Sequence, residues 1–187
     1  MIDFLRVYGT EVGALLLPGE TVLDLGPYRE PPGDASRLER TPGESGAGIA
    51  AADRLVTGFD PLAGGVQTDP RRIDWFLAGS KGSGAPGSAA GQLWRAAAGR
   101  GETYFVAVTN RRLLLLAARG VGAQRPFRIA WERPCSAIAG ATRRGRLLQA
   151  GRVEVAFTDG STKAWTTGIF SAARARTLIA ALTSMGA

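Results

Sequence analysis

The sequence predicts a mainly β fold with helices, in which seven antiparallel strands close or stack on one another and a C-terminal helix plugs an open end. Three observations predict this fold. Residues 103–169 alternate short apolar segments with tight turns. Residues 170–186 carry the apolar stripe of an amphipathic helix. Residues 31–102 contain 14 of the 26 glycines and 6 of the 10 prolines, which indicates a long, partly helical insertion between strands one and two.

The length of 187 residues predicts a single domain over 1–187. A chain of this length buries roughly 70% of its unfolded surface, so its core needs neither a disulfide nor a metal. Along the chain we expect an N-terminal helix in 1–16, the first strand in 17–30, the insertion in 31–102, strands two to seven in 103–169 and the C-terminal helix in 170–186.

The N-terminal segment is predicted to be a helix followed by a strand. Apolar side chains recur at helical spacing at Leu5, Tyr8, Val12 and Leu15. Pro18-Gly19 ends this helix, because the pair favours a turn. Residues 21–25 then alternate in polarity between two faces, as a strand does.

The insertion contains three short helical candidates, at 47–56, 71–78 and 88–98, the last with Ser88 as its N-cap. The Gly/Ser-rich stretch Gly79–Gly87 between the second and third is expected to be flexible. Trp75 and Trp94 lie in these helices. We expect them either to dock the insertion on the strands or to form a contact surface for a partner.

The strands of the C-terminal half are separated by recognisable turns. Asn110-Arg111 is predicted to be a two-residue turn between strands at 103–109 and 112–118, and the second of these is apolar enough for burial on both faces. Asp159-Gly160 is the strongest hairpin signal. The remaining strands are expected at 127–132, 135–143, 152–158 and 162–167, with Trp131 and Trp165 packing in the core.

The C-terminal helix has a start signal and a buried stripe. Ser171 is the candidate N-cap, and Phe170 precedes it as one half of a hydrophobic staple. The stripe consists of Ala175, Leu178, Ile179, Leu182 and Met185.

Three of these stretches together resemble the bacterial PH-like family, which is related to pleckstrin-homology and GRAM domains. They are Leu17–Leu23 at the entry to strand one, the Val108–Leu114 hairpin with its Thr-Asn-Arg-Arg-Leu core, and the Phe157–Ser161 hairpin before the final helix. The resemblance covers residues 17–30 and 103–186. It implies a partly open barrel of two bent sheets, closed at one end by the helix, and a binding module without enzymatic activity. The insertion departs from the family's pattern, because lipid-binding relatives carry headgroup-binding basic residues in that connection.

Composition excludes several kinds of chemistry. The chain has no histidine and a single cysteine, Cys135, so catalysis and metal sites that need histidine or clustered cysteines are excluded. The string Gly82-x-Gly84-x-x-Gly87 matches a dinucleotide fingerprint, but no strand is predicted before it. We therefore predict no enzyme, no catalytic residue, no cofactor and no metal.

Charge is concentrated in the C-terminal half. Residues 103–187 hold 13 basic and 3 acidic residues, whereas the whole chain has 23 and 16. Such a segment attracts phosphate-bearing or carboxylate-bearing surfaces. The alternative is that the bias, 21 arginines against two lysines, reflects base composition alone.

The candidate anion-binding residues form two groups. Arg143, Arg144, Arg146 and Arg152 flank one loop together with Leu147 and Leu148, an arrangement that suits an anionic membrane surface. Arg111 and Arg112 form the second group, at the Asn110-Arg111 turn. Each group also has a structural interpretation, in which the leucines fold inward and an arginine of the turn pairs with a carboxylate.

We therefore expect a binding or scaffold module whose partner is an unknown protein with an acidic surface or an anionic lipid. The alternative is a protein-interaction or self-assembly unit that works through the 31–102 insertion. Nucleic acid is disfavoured, because no aromatic residues are interleaved with the arginines. The expected location is the cytoplasm or the inner face of the membrane, because the longest apolar run, Leu113–Ala118, is too short to span a bilayer.

Overall fold

The computed structural model of the protein describes residues 3–31, 81–99, 101–119, 126–145, 149–168 and 172–185. Its elements are α1 (Phe4–Gly13), β1 (Val22–Tyr28), β2 (Gly82–Ser83), α2 (Ala89–Ala96), β3 (Glu102–Thr109), β4 (Arg112–Arg119), β5 (Phe127–Pro134), β6 (Ile138–Arg143), β7 (Arg152–Phe157), β8 (Thr162–Thr166) and α3 (Ala172–Ser184). The helices predicted at 47–56 and 71–78, with Trp75, and the capping residues Phe170 and Ser171 lie outside the described residues.

The strands form two antiparallel four-stranded sheets. The first has the order β1-β3-β4-β5 and the second the order β2-β8-β7-β6. The described strands form no closed barrel, although a single bridge between Arg29 and Thr166 links the two sheets. The predicted antiparallel strands and C-terminal helix are confirmed, but the described residues contain eight strands where seven were predicted.

Two local predictions are wrong. The eighth strand, β2, lies inside the stretch predicted to be flexible, where Gly82 and Ser83 pair with Lys163 and Thr162 of β8. Two residues are too few to show a periodic pattern, so no strand could be predicted there. The fourth late strand begins at Ile138, because Cys135–Ala137 form a 3₁₀ turn after Pro134.

The first sheet is buried on both faces. Its inner face joins the second sheet in an apolar core that includes Val106, Leu115, Trp131 and Trp165. Its outer face is covered by α1, whose Val12 packs in a second cluster with Leu25, Phe105, Leu114 and Leu116. The predicted burial of strand 112–118 on both faces is therefore confirmed, and the core roles of Trp131 and Trp165 are confirmed as well.

The other two helices lie between the sheets at their edges. The predicted stripe of α3 is buried at Ala175, Leu178 and Leu182, and this helix packs against the edge strands β1 and β6. Helix α2 packs against β5 and β2, which are the opposite edges, and buries Ala90 and Leu93 in the same core. The described end of the insertion is therefore part of the core.

The β7–β8 turn attaches α2 to the second sheet. Gly160 adopts a left-handed φ of 80°, as the predicted Asp159-Gly160 hairpin requires. The Asp159 carboxylate accepts a hydrogen bond from the Ala89 amide at 2.7 Å, and the Ser161 hydroxyl accepts one from the Ala90 amide at 3.2 Å. Ser88 is confirmed as the N-cap, accepting from the Gly91 amide at 3.2 Å.

Candidate anion-binding surface

Most described arginines of the C-terminal half lie on the surface. The exposed ones are Arg111, Arg119, Arg128, Arg143, Arg144 and Arg176. Of the three acidic residues in the same half, Glu132 and Asp159 are exposed and Glu154 is half-buried. The described surface of this half therefore carries an excess of guanidinium groups over carboxylates.

Arg112 is paired with carboxylates. Its Nε lies 2.9 Å from Oε1 of Glu20 and its Nη2 lies 2.8 Å from Oε2, which is a two-bond fork. Nη1 donates to Glu132. The hydrogen bonds from Arg112 are the main cause that lowers the pKa of Glu20 to about 2. The structural interpretation of the turn is thus confirmed for Arg112.

The rest of the turn is built by side-chain hydrogen bonds. The Thr109 hydroxyl donates to Glu20 Oε1 at 2.7 Å and accepts from the Arg111 and Arg112 amides at 3.1 and 2.9 Å. Asn110 Oδ1 accepts from the Thr21 amide at 3.0 Å. Arg111 is left exposed at the tip, and its role in anion binding stays a prediction.

The predicted cluster around the 143–152 loop is divided by the structure. Arg143 and Arg144 are exposed, and Arg144 Nε lies 3.5 Å from Glu154 Oε1. Arg146, Leu147 and Leu148 lie outside the described residues. The structure corrects the prediction that Arg152 belongs to an exposed arginine cluster. Arg152 is only 2% exposed, lies within β7 opposite Thr166 and donates to Gln149 Oε1 at 2.9 Å.

A second pair of exposed arginines, missed in the sequence, converges on one buried carboxylate. Glu102, whose side chain is 2% exposed, accepts from Arg119 Nε at 3.2 Å. Arg128 Nη2 lies 2.9 Å from its Oε1 and 2.8 Å from its Oε2. The hydrogen bond from Arg128 is the largest cause that lowers the pKa of Glu102 to about 2, followed by the hydrogen bond from Tyr104. Counting outward from the Asn110-Arg111 turn places Glu102 opposite Arg119. The sequence could therefore have predicted the contact of Glu102 with Arg119.

An ion pair with a buried lysine lies between the two sheets and was not predicted from the sequence. Lys163 is completely buried, and its Nζ lies 2.8 Å from Glu30 Oε1, while Tyr28 Oη donates to the same carboxylate. Burial lowers the pKa of Lys163 and raises that of Tyr28. Lys163 pairs with Val155 across the hairpin, which places both side chains on the inner face.

The remaining candidates have structural roles. Trp94 packs against the inner core, so it docks α2 on the sheets, which is one of the two roles predicted for it. Burial raises the pKa of Cys135, which keeps this half-buried thiol protonated at neutral pH.

No group of acidic or cysteine residues that could hold a metal ion is found among the described residues. Within the same residues no helix is both long and apolar enough to cross a membrane. Comparisons of the chain with protein-family models, with curated proteins and with solved structures gave no match.

Proposed function

We propose that the protein is a non-enzymatic binding module with a PH-like arrangement, which attaches to an anionic membrane surface through exposed arginines of its C-terminal half. The observation that carries this proposal is the exposure of Arg143 and Arg144, for which the described residues supply one ion pair, between Arg144 and the half-buried Glu154. Each basic side chain close to an anionic bilayer contributes about 1 kcal/mol to attachment.

The order of elements supports the PH-like part of the proposal. Strands β1, β3, β4 and β5 build the first sheet, β6, β7 and β8 follow in the second, and α3 comes last against β1 and β6. Two bent antiparallel sheets with a final helix at one open side are what the resemblance implies. The insertion adds β2 and α2 at the opposite edges.

Vesicle co-sedimentation of the full chain tests the proposal. The key variant is R143Q/R144Q, and the matched control is R6Q/R95Q, because Arg6 and Arg95 are also exposed but lie on α1 and α2. Both variants lose two positive charges. The vesicles are phosphatidylcholine alone, or phosphatidylcholine with phosphatidylserine, at low and at physiological salt.

The wild-type chain is expected to sediment only with the anionic vesicles and less at the higher salt, because salt screens exposed charges. R143Q/R144Q is expected to lose about 2 kcal/mol and so to bind roughly thirtyfold more weakly, whereas R6Q/R95Q keeps most of its affinity. Equal loss in both variants contradicts a localised surface. Absence of wild-type binding at low salt contradicts membrane attachment and favours an acidic protein partner.

A further inference from the structure

We propose that Arg119 and Arg128 form a site for one phosphoryl group, held in position from beneath by the buried carboxylate of Glu102. This inference rests on the proposed function in that the ligand is anionic. It goes further because it names a second site and the chemistry of its ligand.

Glu102 and the two arginines converge at one end of the first sheet. Glu102 opens β3, Arg119 faces it across the β3–β4 pair, and Arg128 lies next to Ala117 on the following strand. The carboxylate is 2% exposed, while the two arginine side chains are 78% and 58% exposed. Glu102 therefore lies on the protein side and both guanidinium groups lie on the solvent side.

Tyr104 and Gly99 support the Glu102 carboxylate from the protein side. Tyr104 Oη donates to Glu102 Oε2 at 2.8 Å, and the Gly99 amide donates to Tyr104 Oη at 2.9 Å. A Cβ on Gly99 would lie 2.4 Å from Tyr104 Oη and 2.6 Å from Glu102 Oε2. A methyl group at this position would displace the Tyr104 hydroxyl or the Glu102 carboxylate, so glycine is the residue that leaves both groups where they are.

The cluster has more positive charge and more N–H donors than the Glu102 carboxylate uses. Two guanidinium groups share one carboxylate, which leaves one positive charge at the cluster. Among the described residues no other carboxylate pairs with Arg119 or Arg128. An arginine has five N–H donors, and the contacts with Glu102 use Nε of Arg119 and Nη2 of Arg128. The remaining donors suit an oxyanion.

A phosphoryl group matches these donors better than a carboxylate does. Its three terminal oxygens can accept from two planar forks at once, which gives the charge-assisted hydrogen bonds that arginine forms with phosphate. A nucleic acid base would need an exposed aromatic platform, but Tyr104 and Phe127, the aromatic residues next to the two arginines in the sheet, are buried. The phosphoryl group can belong to a lipid headgroup or to a soluble phosphate.

Titration of the ¹⁵N-labelled full chain with inorganic phosphate, at constant ionic strength set with chloride, tests the site through the arginine Nε–Hε signals. We expect saturable shifts for the wild type and an affinity at least about tenfold lower for R119K, which keeps the charge but loses the fork. R119K leaves the Arg128–Glu102 contact in place, and the dispersion of its amide spectrum reports its folding. R128K is the second variant, and R6Q is the control, with affinity unchanged, because Arg6 is also exposed but lies on α1.

Vesicles containing phosphatidic acid or phosphatidylserine, matched for surface charge, separate the two sources of the phosphoryl group. Preference for phosphatidic acid that is lost in R119K indicates a lipid headgroup, because phosphatidic acid presents a phosphomonoester. Saturable phosphate binding without that preference indicates a soluble phosphate. Absence of saturable shifts, or unchanged affinity in both R119K and R128K, overturns the site. Neither result depends on Arg143 and Arg144, so failure of this site and failure of the proposed membrane surface are distinguishable.

Discussion

Glu20 and Arg112 lie 92 positions apart in the chain, yet they meet in a fork of 2.8 and 2.9 Å that ties the turn before β1 to the β3–β4 hairpin. The Leu17 amide adds a hydrogen bond of 2.8 Å to the same carboxylate. Residues 17–20 and 109–112, two stretches on which the family resemblance rests, are therefore one structural unit. The residue types of Glu20, Thr109 and Arg112 are explained by these contacts, without any ligand.

Replacement of Glu20 by glutamine is expected to lower the free energy of unfolding by about 2 kcal/mol. The Glu20 side chain is fully buried, and that of its partner Arg112 is only 13% exposed. The variant therefore removes the buried negative charge that neutralises the Arg112 guanidinium. Glu132→Gln is the matched control on the same arginine. Because Glu132 is 52% exposed, we expect at most about 1 kcal/mol there. Urea unfolding measures both values, and equal losses would contradict the assignment.

The contribution of Glu20 to stability is expected to disappear in acid. Its pKa falls from 4.5 to about 2 on folding, so the stabilisation is fully present above pH 4.5 and is lost as the pH falls through about 2. The difference in unfolding free energy between wild type and Glu20→Gln should therefore shrink over this interval. The check is urea unfolding of both chains across that range, and a difference independent of pH would refute the linkage.

Loss of Glu30 is expected to lower the free energy of unfolding more than loss of its partner Lys163. Lys163 is completely buried, whereas the Glu30 side chain is 31% exposed and can be hydrated. Glu30→Gln leaves a buried ammonium without its carboxylate and should cost about 3 kcal/mol. Lys163→Met, of similar volume, should cost about 1 kcal/mol. Chemical denaturation of the two variants gives the order, and the reverse order would contradict this account.

Gly99→Ala is expected to disturb the support of the Glu102 cluster. The added methyl would overlap the Tyr104 hydroxyl and the Glu102 carboxylate, so we expect a loss of about 1 to 3 kcal/mol. Gly87→Ala is the control, because nothing lies within 4 Å of its Cβ position. That variant should stay within about 0.5 kcal/mol of the wild type. Thermal unfolding compares the two variants. Equal stability would show that the Tyr104 hydroxyl and the Glu102 carboxylate can move aside without cost.

Asp159→Ala is expected to loosen α2 without unfolding the sheets. The Asp159 carboxylate accepts from the Ala89 amide, and loss of such a cap costs about 1 kcal/mol. Amide hydrogen exchange at Ala89 and Ala90 should therefore become roughly fivefold faster, while β4 is unaffected. Thr158→Ala, with an exposed side chain on the same turn, should leave exchange unchanged. Unaltered protection in Asp159→Ala would show that apolar packing alone holds the helix.

Elements with a strong period were predictable from the sequence. The stripe of α3 is buried at Ala175, Leu178 and Leu182 and half-buried at Ile179 and Met185, because apolar periodicity reports which face is covered. The continuous apolar run Leu113–Ala118 is buried throughout, as a strand covered on both faces is. The Asp159-Gly160 turn was predictable because few residues tolerate its backbone angles. Strand β2 was not, since its pairing depends on β8, which follows it by some 80 residues.

The ion pairs were less predictable than the elements. The position of Lys163 follows from counting outward from the Asp159-Gly160 turn, but its partner Glu30 follows β1 of the other sheet, 133 positions away. Arg152 was predicted as the first residue of a strand at the end of the 143–152 loop, and only the tertiary structure shows that its side chain is buried. Contacts between distant segments need the tertiary structure.

The salt dependence of vesicle binding by the intact chain tests the central claim most directly. The claim is that exposed arginines attach this module to an anionic surface. It predicts sedimentation with phosphatidylserine vesicles at low salt, a marked decrease at physiological salt, and none with phosphatidylcholine alone at either salt. Equal binding to neutral and anionic vesicles, or none to either at low salt, would contradict it.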